Sequence, residues 1–94
     1  MDEPKILALL KDTRGWEIQG KALARKFSFS AFAEAIAFVN RIAELAERID
    51  HHPDMSINYR SVTLFSWSHD SNGITMRDFK LARAINSISC DHTY

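Results

Sequence analysis

The chain has 94 residues, of which 12 are basic and 12 acidic, so its formal charge is zero at pH 7. This length predicts a single domain over residues 1–94 with one modest hydrophobic core. A neutral chain has no overall field that would attract nucleic acid or an anionic membrane, so we expect direct binding to neither.

The cysteine content and the N-terminal segment bear on the compartment. Cys90 is the only cysteine, which excludes an internal disulfide and favours a reducing environment. The N-terminus begins with acidic residues, and its apolar run at residues 6–10 is too short for a signal peptide or a membrane span. These features predict a cytoplasmic protein and leave a nuclear location open.

The first third of the chain predicts one helix and two strands. Residues 4–11 have a proline in the first turn and an acidic residue ahead of it, as a short helix does. Residues 16–19 and 22–29 are the strand candidates, and Gly20 is the turn between them.

A long helix is predicted over residues 31–50, with Ser30 as its N-cap. Charged side chains occupy its other faces, so one side of this helix should lie on a sheet. The apolar residues at helical spacing that we expect on that side are Phe32, Ile36, Val39, Ala43, Ala46 and Ile49.

After the long helix the apolar period changes to two. Residues 55–59 predict a strand, and residues 60–61 a turn. Residues 62–69 then alternate clearly, with Val62, Leu64, Ser66 and Ser68 on one face and Thr63, Phe65, Trp67 and His69 on the other.

The last third of the chain begins with turn chemistry at residues 70–73. Thr75 is an expected N-cap with Asp78 at the third helical position, which is a variant of the capping box. The apolar stripe of the final helix is Leu81, Ala82, Ile85 and Ile88. From Asn86 onward we expect the helix to fray into a polar tail.

This order of elements predicts the fold class. The order of elements is helix, two strands, helix, two strands, helix (α-β-β-α-β-β-α). Such a chain favours an α+β two-layer sandwich, in which helices pack on one face of a four-stranded antiparallel sheet.

Two adjacent histidines end the long helix, and Pro53 stops it. Glu47 lies four positions before His51, so within a helix the two would share a face and come within reach of each other. With His52 beside them, these groups outline a proton-transfer site. The alternative is a solvated helix end whose histidines have no role.

Other chemistries are less well supported. His51, His52, His69 and Glu47 are metal-ligand types, but adjacent histidines usually diverge and no thiolate pair or His-Glu-x-x-His helix is present. Cys90 and His92, in the expected tail, are weak evidence for a metal. No serine or cysteine stands out as a nucleophile. We therefore predict no metal and no cofactor.

The combination is more specific than its parts. The positions are Glu47-x-x-x-His51-His52-Pro53, then five residues to Tyr59, nine to His69 and eight to Asp78. This spacing resembles the signature of the pterin-4a-carbinolamine dehydratases. The resemblance extends over residues 15–88, including residues 27–29, 35–39 and 73–82. Two positions depart from the family pattern, since Ser68 stands where threonine is frequent and Ile74 where leucine is usual.

The resemblance implies an activity and a site. Members of this family dehydrate a 4a-hydroxytetrahydropterin to the quinonoid dihydropterin, in the recycling of tetrahydrobiopterin. It implies that His51, His52 and His69 are the catalytic acid–base trio, with no metal or cofactor. It also implies that Glu47 orients His51 and that Asp78 supports the site from the start of the final helix. The residues implied to line the pterin pocket are Asp50, Pro53, Trp67, Ser68 and Asp70.

The resemblance also implies partners. Besides the pterin, these are further copies of the chain in a homodimer or homotetramer, and an aromatic amino-acid hydroxylase or a transcription factor. Residues 62–68 are long, apolar and poor in charge, which predicts an edge that can pair with another sheet. A protein-interaction module acting as dimerisation cofactor of a transcription factor is the alternative function. The intact histidine trio favours the enzyme.

Overall fold

The structure is a computed structural model that describes residues 2–90, with the side chain of Cys90 left out. The Cys90–His92 pair considered above as a weak metal candidate therefore lies outside the described residues. The helices are α1 (Glu3–Lys11), α2 (Phe32–Ile49) and α3 (Met76–Cys90). The strands are β1 (Glu17–Gln19), β2 (Ala22–Ser28), β3 (Asp54–Asn58) and β4 (Ser61–Ser66), and a short 3₁₀ turn spans His69–Ser71.

The sheet has the strand order β1-β2-β4-β3, and each neighbouring pair is antiparallel. The predicted α+β fold class is thereby confirmed. Along β4 the buried and half-buried residues alternate, with Val62, Leu64 and Ser66 on the buried side. The prediction that residues 62–68 form a pairing edge is wrong, because β4 has a hydrogen-bonded neighbour on both sides. The free edges are β1 and β3.

The stripe through which helix α2 packs on the sheet agrees only in part with the predicted one, since Ala46 is buried and Val39 and Ile49 are partly buried against the core. Its buried residues are Ala35, Phe38, Ile42, Leu45 and Ala46. Phe38 lies at the centre, with ring centroids 4.7 Å from Phe27 and 5.1 Å from Phe29. Of the predicted stripe, Phe32 is 50 % exposed and Ala43 is also exposed. An alanine-rich helix offers two apolar stripes, and the one with the larger side chains at its centre buries more apolar area.

The start of α2 also differs from the prediction. The N-cap is Ala31, in extended conformation (φ −149°, ψ 154°), and it makes no side-chain cap. Ser30 lies one residue too early to cap the helix. Its hydroxyl instead hydrogen-bonds the carboxylate of Glu34 in the first turn.

The strand boundaries shift relative to the prediction, most of all at the end of β4. The β3–β4 turn is at Tyr59 and Arg60 rather than at residues 60–61, and Tyr59 takes a positive φ of 51°. The regular strand β4 ends at Ser66, before His69. It ends early because Ser68 pairs with Gly73 across the 3₁₀ turn, so the chain reverses three residues sooner than the alternation suggests.

The predicted cap of α3 is confirmed, and the predicted fraying is wrong. The hydroxyl of Thr75 accepts from the N–H of Arg77 (3.3 Å), and the Thr75 N–H donates to Asp78 (2.8 Å). The helix continues through Asn86 to Cys90. Asn86 is a packing position because its Oδ1 accepts from Trp16 Nε1 (2.8 Å). Within residues 2–90 no helix is both long and apolar enough to cross a membrane.

Candidate active site

The end of α2 determines where the paired histidines lie. Asp50 takes the left-handed conformation (φ 60°, ψ 42°), and the N–H groups of Asp50 and His51 both bond the carbonyl of Ala46. These hydrogen bonds satisfy the carbonyl of Ala46 in the last helical turn, and the left-handed residue reverses the chain. The two histidines diverge after it, since the side chain of His51 is 10 % exposed and that of His52 is 57 % exposed.

His51 is held by a buried carboxylate at the start of α3. Its Nε2 lies 2.6 Å from Oδ1 of Asp78, whose side chain is fully buried. Three further groups donate to the same carboxylate: the hydroxyls of Ser66 (2.7 Å) and Ser68 (2.9 Å) and the Thr75 N–H (2.8 Å). A carboxylate surrounded by donors accepts from Nε2–H of His51. The ring nitrogen left for a substrate is therefore Nδ1.

Glu47 does not pair with His51, contrary to the expectation from their spacing. Its Oε2 lies 2.5 Å from Nε2 of His52, and both side chains are largely exposed. The i,i+4 rule applies inside a helix, but α2 ends at Ile49 and the reversal at Asp50 carries His51 away from this face.

His69, at the start of the 3₁₀ turn, stacks on Trp67. The two ring centroids are 3.7 Å apart and the ring planes differ by 29°. The predicted common face of the two residues is confirmed by this contact, although both lie beyond the regular part of β4. The indole Nε1 of Trp67 donates to Oδ2 of Asp54 at 3.1 Å.

His51, His52 and His69 all line one cleft of about 420 Å³. The other predicted site residues that line it are Asp50, Pro53, Trp67, Ser68 and Asp70. Two predicted residues do not line it: Asp78 lies buried beneath His51, and Glu47 lies outside. A second hollow of about 450 Å³, between α1 and the β1–β2 turn, has no histidine in its lining.

Sequence reasoning missed two residues that line the cleft, Asp54 and Arg77. Each is adjacent in sequence to a predicted site residue, since Asp54 follows Pro53 and Arg77 precedes Asp78. That adjacency was the available signal. It was not decisive, because neighbours along a strand or helix usually point in different directions.

Arg77 and Asp70 form an ion pair in the cleft lining, with 2.5 Å between Nη2 and Oδ1. The hydrogen bond from Arg77 lowers the pKa of the Asp70 carboxyl below its ordinary value. The same bond raises the pKa of the Arg77 guanidinium. Both side chains are substantially exposed, so solvent screens the pair and its contribution to stability is small.

This pair predicts a measurable carboxyl titration. Asp70 should titrate below its ordinary pKa in the wild type and closer to that value in Arg77→Gln, which removes the partner's charge. Because the folded-state pKa is lowered, the pair stabilises the fold above the ordinary pKa and loses this contribution as the pH falls. Carboxyl NMR titration measures the shift. Lys80→Gln, an equal charge change on the same helix, is the control. The same Asp70 titration in wild type and Arg77→Gln would contradict the prediction.

Among the side chains that the structure describes, no three histidine, cysteine, aspartate or glutamate residues are grouped as a metal site requires. Two of the three imidazoles of the cleft are each paired with one carboxylate. His51 pairs with Asp78 and His52 with Glu47.

The sequence model of one protein family, pterin 4 alpha carbinolamine dehydratase, matches residues 1–88. The chain belongs to this family. The match covers α1 through β4, α3 as far as Ile88 and the whole histidine cleft, so the resemblance noted from the sequence is confirmed.

Relatives in the dehydratase family share much of the sequence. A protein of Thermomicrobium roseum named as a pterin-4-alpha-carbinolamine dehydratase is 48 % identical over 89 residues, covering 95 % of this chain and 96 % of the relative. One from Koribacter versatilis with the same name is 44 % identical over 88 residues, covering 94 % of each chain.

Two solved structures share the dehydratase fold. The first is a transcriptional coactivator/pterin dehydratase from Brucella melitensis, with a TM-score of 0.87 and 34 % identity over 95 % of this chain and 97 % of that one. The second is a pterin dehydratase-like protein described as a RuBisCO assembly factor in the alpha-carboxysome. Its TM-score is 0.68 at 22 % identity, over 81 % of this chain and 90 % of that one. At that identity the likeness is one of fold alone.

Proposed function

We propose that this chain dehydrates a 4a-hydroxytetrahydropterin to the quinonoid dihydropterin and water, by histidine acid–base catalysis, in the recycling of tetrahydrobiopterin. Family membership supports the reaction class, a hydro-lyase acting on a pterin. The observation that carries the proposal is the convergence of three imidazoles on one cleft, one of them backed by a buried carboxylate.

The chemistry of the reaction matches these groups. The bond from C4a to the hydroxyl oxygen must break, and hydroxide is a poor leaving group. An acid that protonates the hydroxyl lets it leave as water, while a base takes a proton from a ring N–H. Each such group contributes about 10²–10⁴-fold to the rate. Imidazole suits both tasks because its ordinary pKa lies near neutrality.

The hydrogen bonds suggest how the tasks are divided. With Nε2–H committed to Asp78, the neutral form of His51 has its unprotonated nitrogen at Nδ1, which makes His51 the candidate for the base. His52 and His69 then supply the acid. Carboxylates in the lining, at Asp50 and Asp70, are suited to accept N–H donors of the pterin ring system.

Stopped-flow measurement of 4a-hydroxytetrahydropterin decay, with and without the protein, tests the proposal. We expect the protein to accelerate decay, and we expect His51→Ala, His52→Ala and His69→Ala each to reduce the acceleration by about 10²-fold or more. Ser56→Ala, on the exposed edge strand, is the control that should retain full activity. Equal decay rates with and without wild-type protein would defeat the proposal.

The reaction as proposed needs no metal. We expect full dehydratase activity after dialysis against a strong chelator, because proton transfer by imidazoles suffices for the bond changes. The measurement is the decay rate before and after dialysis, with metal content determined in parallel. Activity that is lost with a stoichiometric metal and restored on its return would contradict this prediction.

We still predict a homo-oligomer, a dimer or a tetramer, but with strand β3 instead of residues 62–68 as the edge that pairs with another copy. Strand β3 is exposed along its whole length, including Met55 (37 %) and Ile57 (43 %), and its backbone is open to pairing. Light scattering at micromolar concentration should give at least the dimer mass. Ile57→Lys should shift it to monomer, whereas Ile18→Lys on the short edge strand β1 should not. A wild-type monomer would contradict the prediction.

One observation favours a second function, that of a protein-interaction module. The face of α2 that turns away from the sheet carries exposed apolar residues, Phe32 (half exposed) and Ala43, among charged ones such as Glu44. The Brucella melitensis relative is described as a transcriptional coactivator as well as a dehydratase. If this chain also acts as a dimerisation cofactor, Phe32→Ser should abolish its association with the transcription factor while the dehydratase rate stays unchanged. Loss of both together, or of neither, would reject a separate surface.

A further inference from the structure

The three imidazoles of the cleft are held in different ways. His51 and His52 each hydrogen-bond a carboxylate. Within residues 2–90 the ring of His69 has no hydrogen-bond partner, and the contact that it makes is the stack on Trp67. His69 is also exposed. Its position therefore depends on where the Trp67 indole lies.

The Trp67 indole is in turn held by Asp54. Trp67 follows the last residue of β4, so the sheet ladder does not fix its ring. Asp54 begins β3 and pairs in register with Phe65, two residues before Trp67. Diagonal neighbours on one face of an antiparallel pair are within reach when one is aromatic. The hydrogen bond from Nε1 to Oδ2, 3.1 Å long, uses this geometry.

We infer that Asp54 is a positioning residue for the dehydration: it orients the Trp67 indole and, through the stack, the His69 imidazole. Its role in the reaction rests on the proposed function, whereas its effect on the position of His69 can be measured without activity. Asp54 directly follows Pro53, and both residues line the cleft.

Three substitutions separate the steps. Asp54→Ala removes the acceptor, and Asp54→Asn keeps an amide oxygen in its place. Trp67→Phe keeps a ring that can stack but removes the N–H donor. Ser56→Ala is the matched control, since Ser56 lies two residues further along the same strand. Asp54 is exposed at a sheet edge, so we expect the variants to fold, as far-UV circular dichroism can verify.

The first readout is the NMR position of the His69 ring protons, which the ring current of a stacked indole shifts upfield. In Asp54→Ala they should move towards the values of an unstacked histidine. In Asp54→Asn and Ser56→Ala they should stay near the wild-type values. In Trp67→Phe, adding Asp54→Ala should change nothing further, because the donor is already gone.

The second readout is kinetic. Loss of one hydrogen bond that orients a reacting group should lower kcat by about 3- to 10-fold, with KM unchanged. A rise in KM at constant kcat would overturn the inference, because the indole would then serve substrate binding alone. Unmoved His69 protons in Asp54→Ala, or the same change in the Trp67→Phe background, would also overturn it. A wild type without activity defeats the proposed function, and the NMR comparison still decides the positioning.

Discussion

Asp78→Asn is expected to lower kcat by about 10²–10⁴-fold, because it disturbs the group that orients His51. All four partners of the buried carboxylate are donors or can act as such: Ser66, Ser68, the Thr75 N–H and His51. The asparagine side chain has an NH2 donor where the carboxylate has one acceptor oxygen, so this NH2 group must face at least one of the four donating partners. The backbone N–H of Thr75 can only donate, so the amide oxygen takes the Oδ2 position and the NH2 group takes the Oδ1 position. There it faces the Ser66 hydroxyl, which can accept, and the imidazole, which must change its tautomer or turn away. Either change removes the unprotonated Nδ1 from its place in the cleft.

The same substitution should reduce the free energy of unfolding by about 1–3 kcal/mol, the effect of leaving buried donors unsatisfied. A domain of this size is stable by about 5–14 kcal/mol, so the variant should remain folded. Ser66→Ala is the matched control. It removes one hydrogen bond to the same carboxylate without touching His51, so it should lower stability and leave kcat within about 3-fold of wild type. If Asp78→Asn and Ser66→Ala lower kcat equally, Asp78 has a structural role only.

Both roles of Asp78 could be predicted from the sequence, one from spacing and one from the family resemblance. The spacing from Thr75 predicts the helix cap, and the cap is present. The family resemblance implies a role in the site, and the carboxylate does bond His51. From residues alone these two interpretations compete. In the structure they are compatible, because one oxygen accepts from the cap N–H and the other accepts from the imidazole.

The predicted pairing of Glu47 with His51 is wrong because of where the helix ends. The spacing of Glu47 from His51 predicts a pair only if the helix continues through His51, but the helix closes at Asp50 in a left-handed conformation. Aspartate gives a weaker signal for such a closure than glycine, so the sequence did not reveal where the face turns. The predicted stripe on α2 is only partly correct for a related reason. Periodicity identifies that a helix has an apolar side, but the volume of Phe38 and Ile42 decides which side faces the core.

The tertiary contacts of Asn86 could not be predicted at all. Its partners Trp16 and Arg25 lie 70 and 61 residues away in sequence. A polar residue near the end of a helical pattern ordinarily indicates fraying. Here its amide instead fastens the loop after α1 to α3, because Nδ2 also donates to the carbonyl of Arg14 at 2.9 Å.

Gly15 lies in that loop, and its replacement by alanine should be strongly destabilising. Its backbone is in the left-handed region, with φ of +87°, where a side chain adds about 1–2 kcal/mol of strain. An added Cβ would also lie 2.7 Å from Cζ of Arg25. The guanidinium cannot move freely, since it donates to Asn86 Oδ1 (2.6 Å) and to the Arg14 carbonyl (3.1 Å). We expect Gly15→Ala to lower the free energy of unfolding by about 2–4 kcal/mol.

Gly20→Ala separates the two causes of this loss. Gly20 also has a positive φ, +59°, but an added Cβ would meet no atom within 4 Å. The free energy of unfolding of Gly20→Ala, measured by urea denaturation, should therefore fall only by the backbone strain, about 1–2 kcal/mol. In an Arg25→Ala background, Gly15→Ala should lower the free energy of unfolding by no more than Gly20→Ala does, because the obstructing guanidinium is gone. Equal losses for the two glycines in the wild-type background would show that the Arg25 contact adds nothing, and that backbone conformation alone requires glycine at position 15.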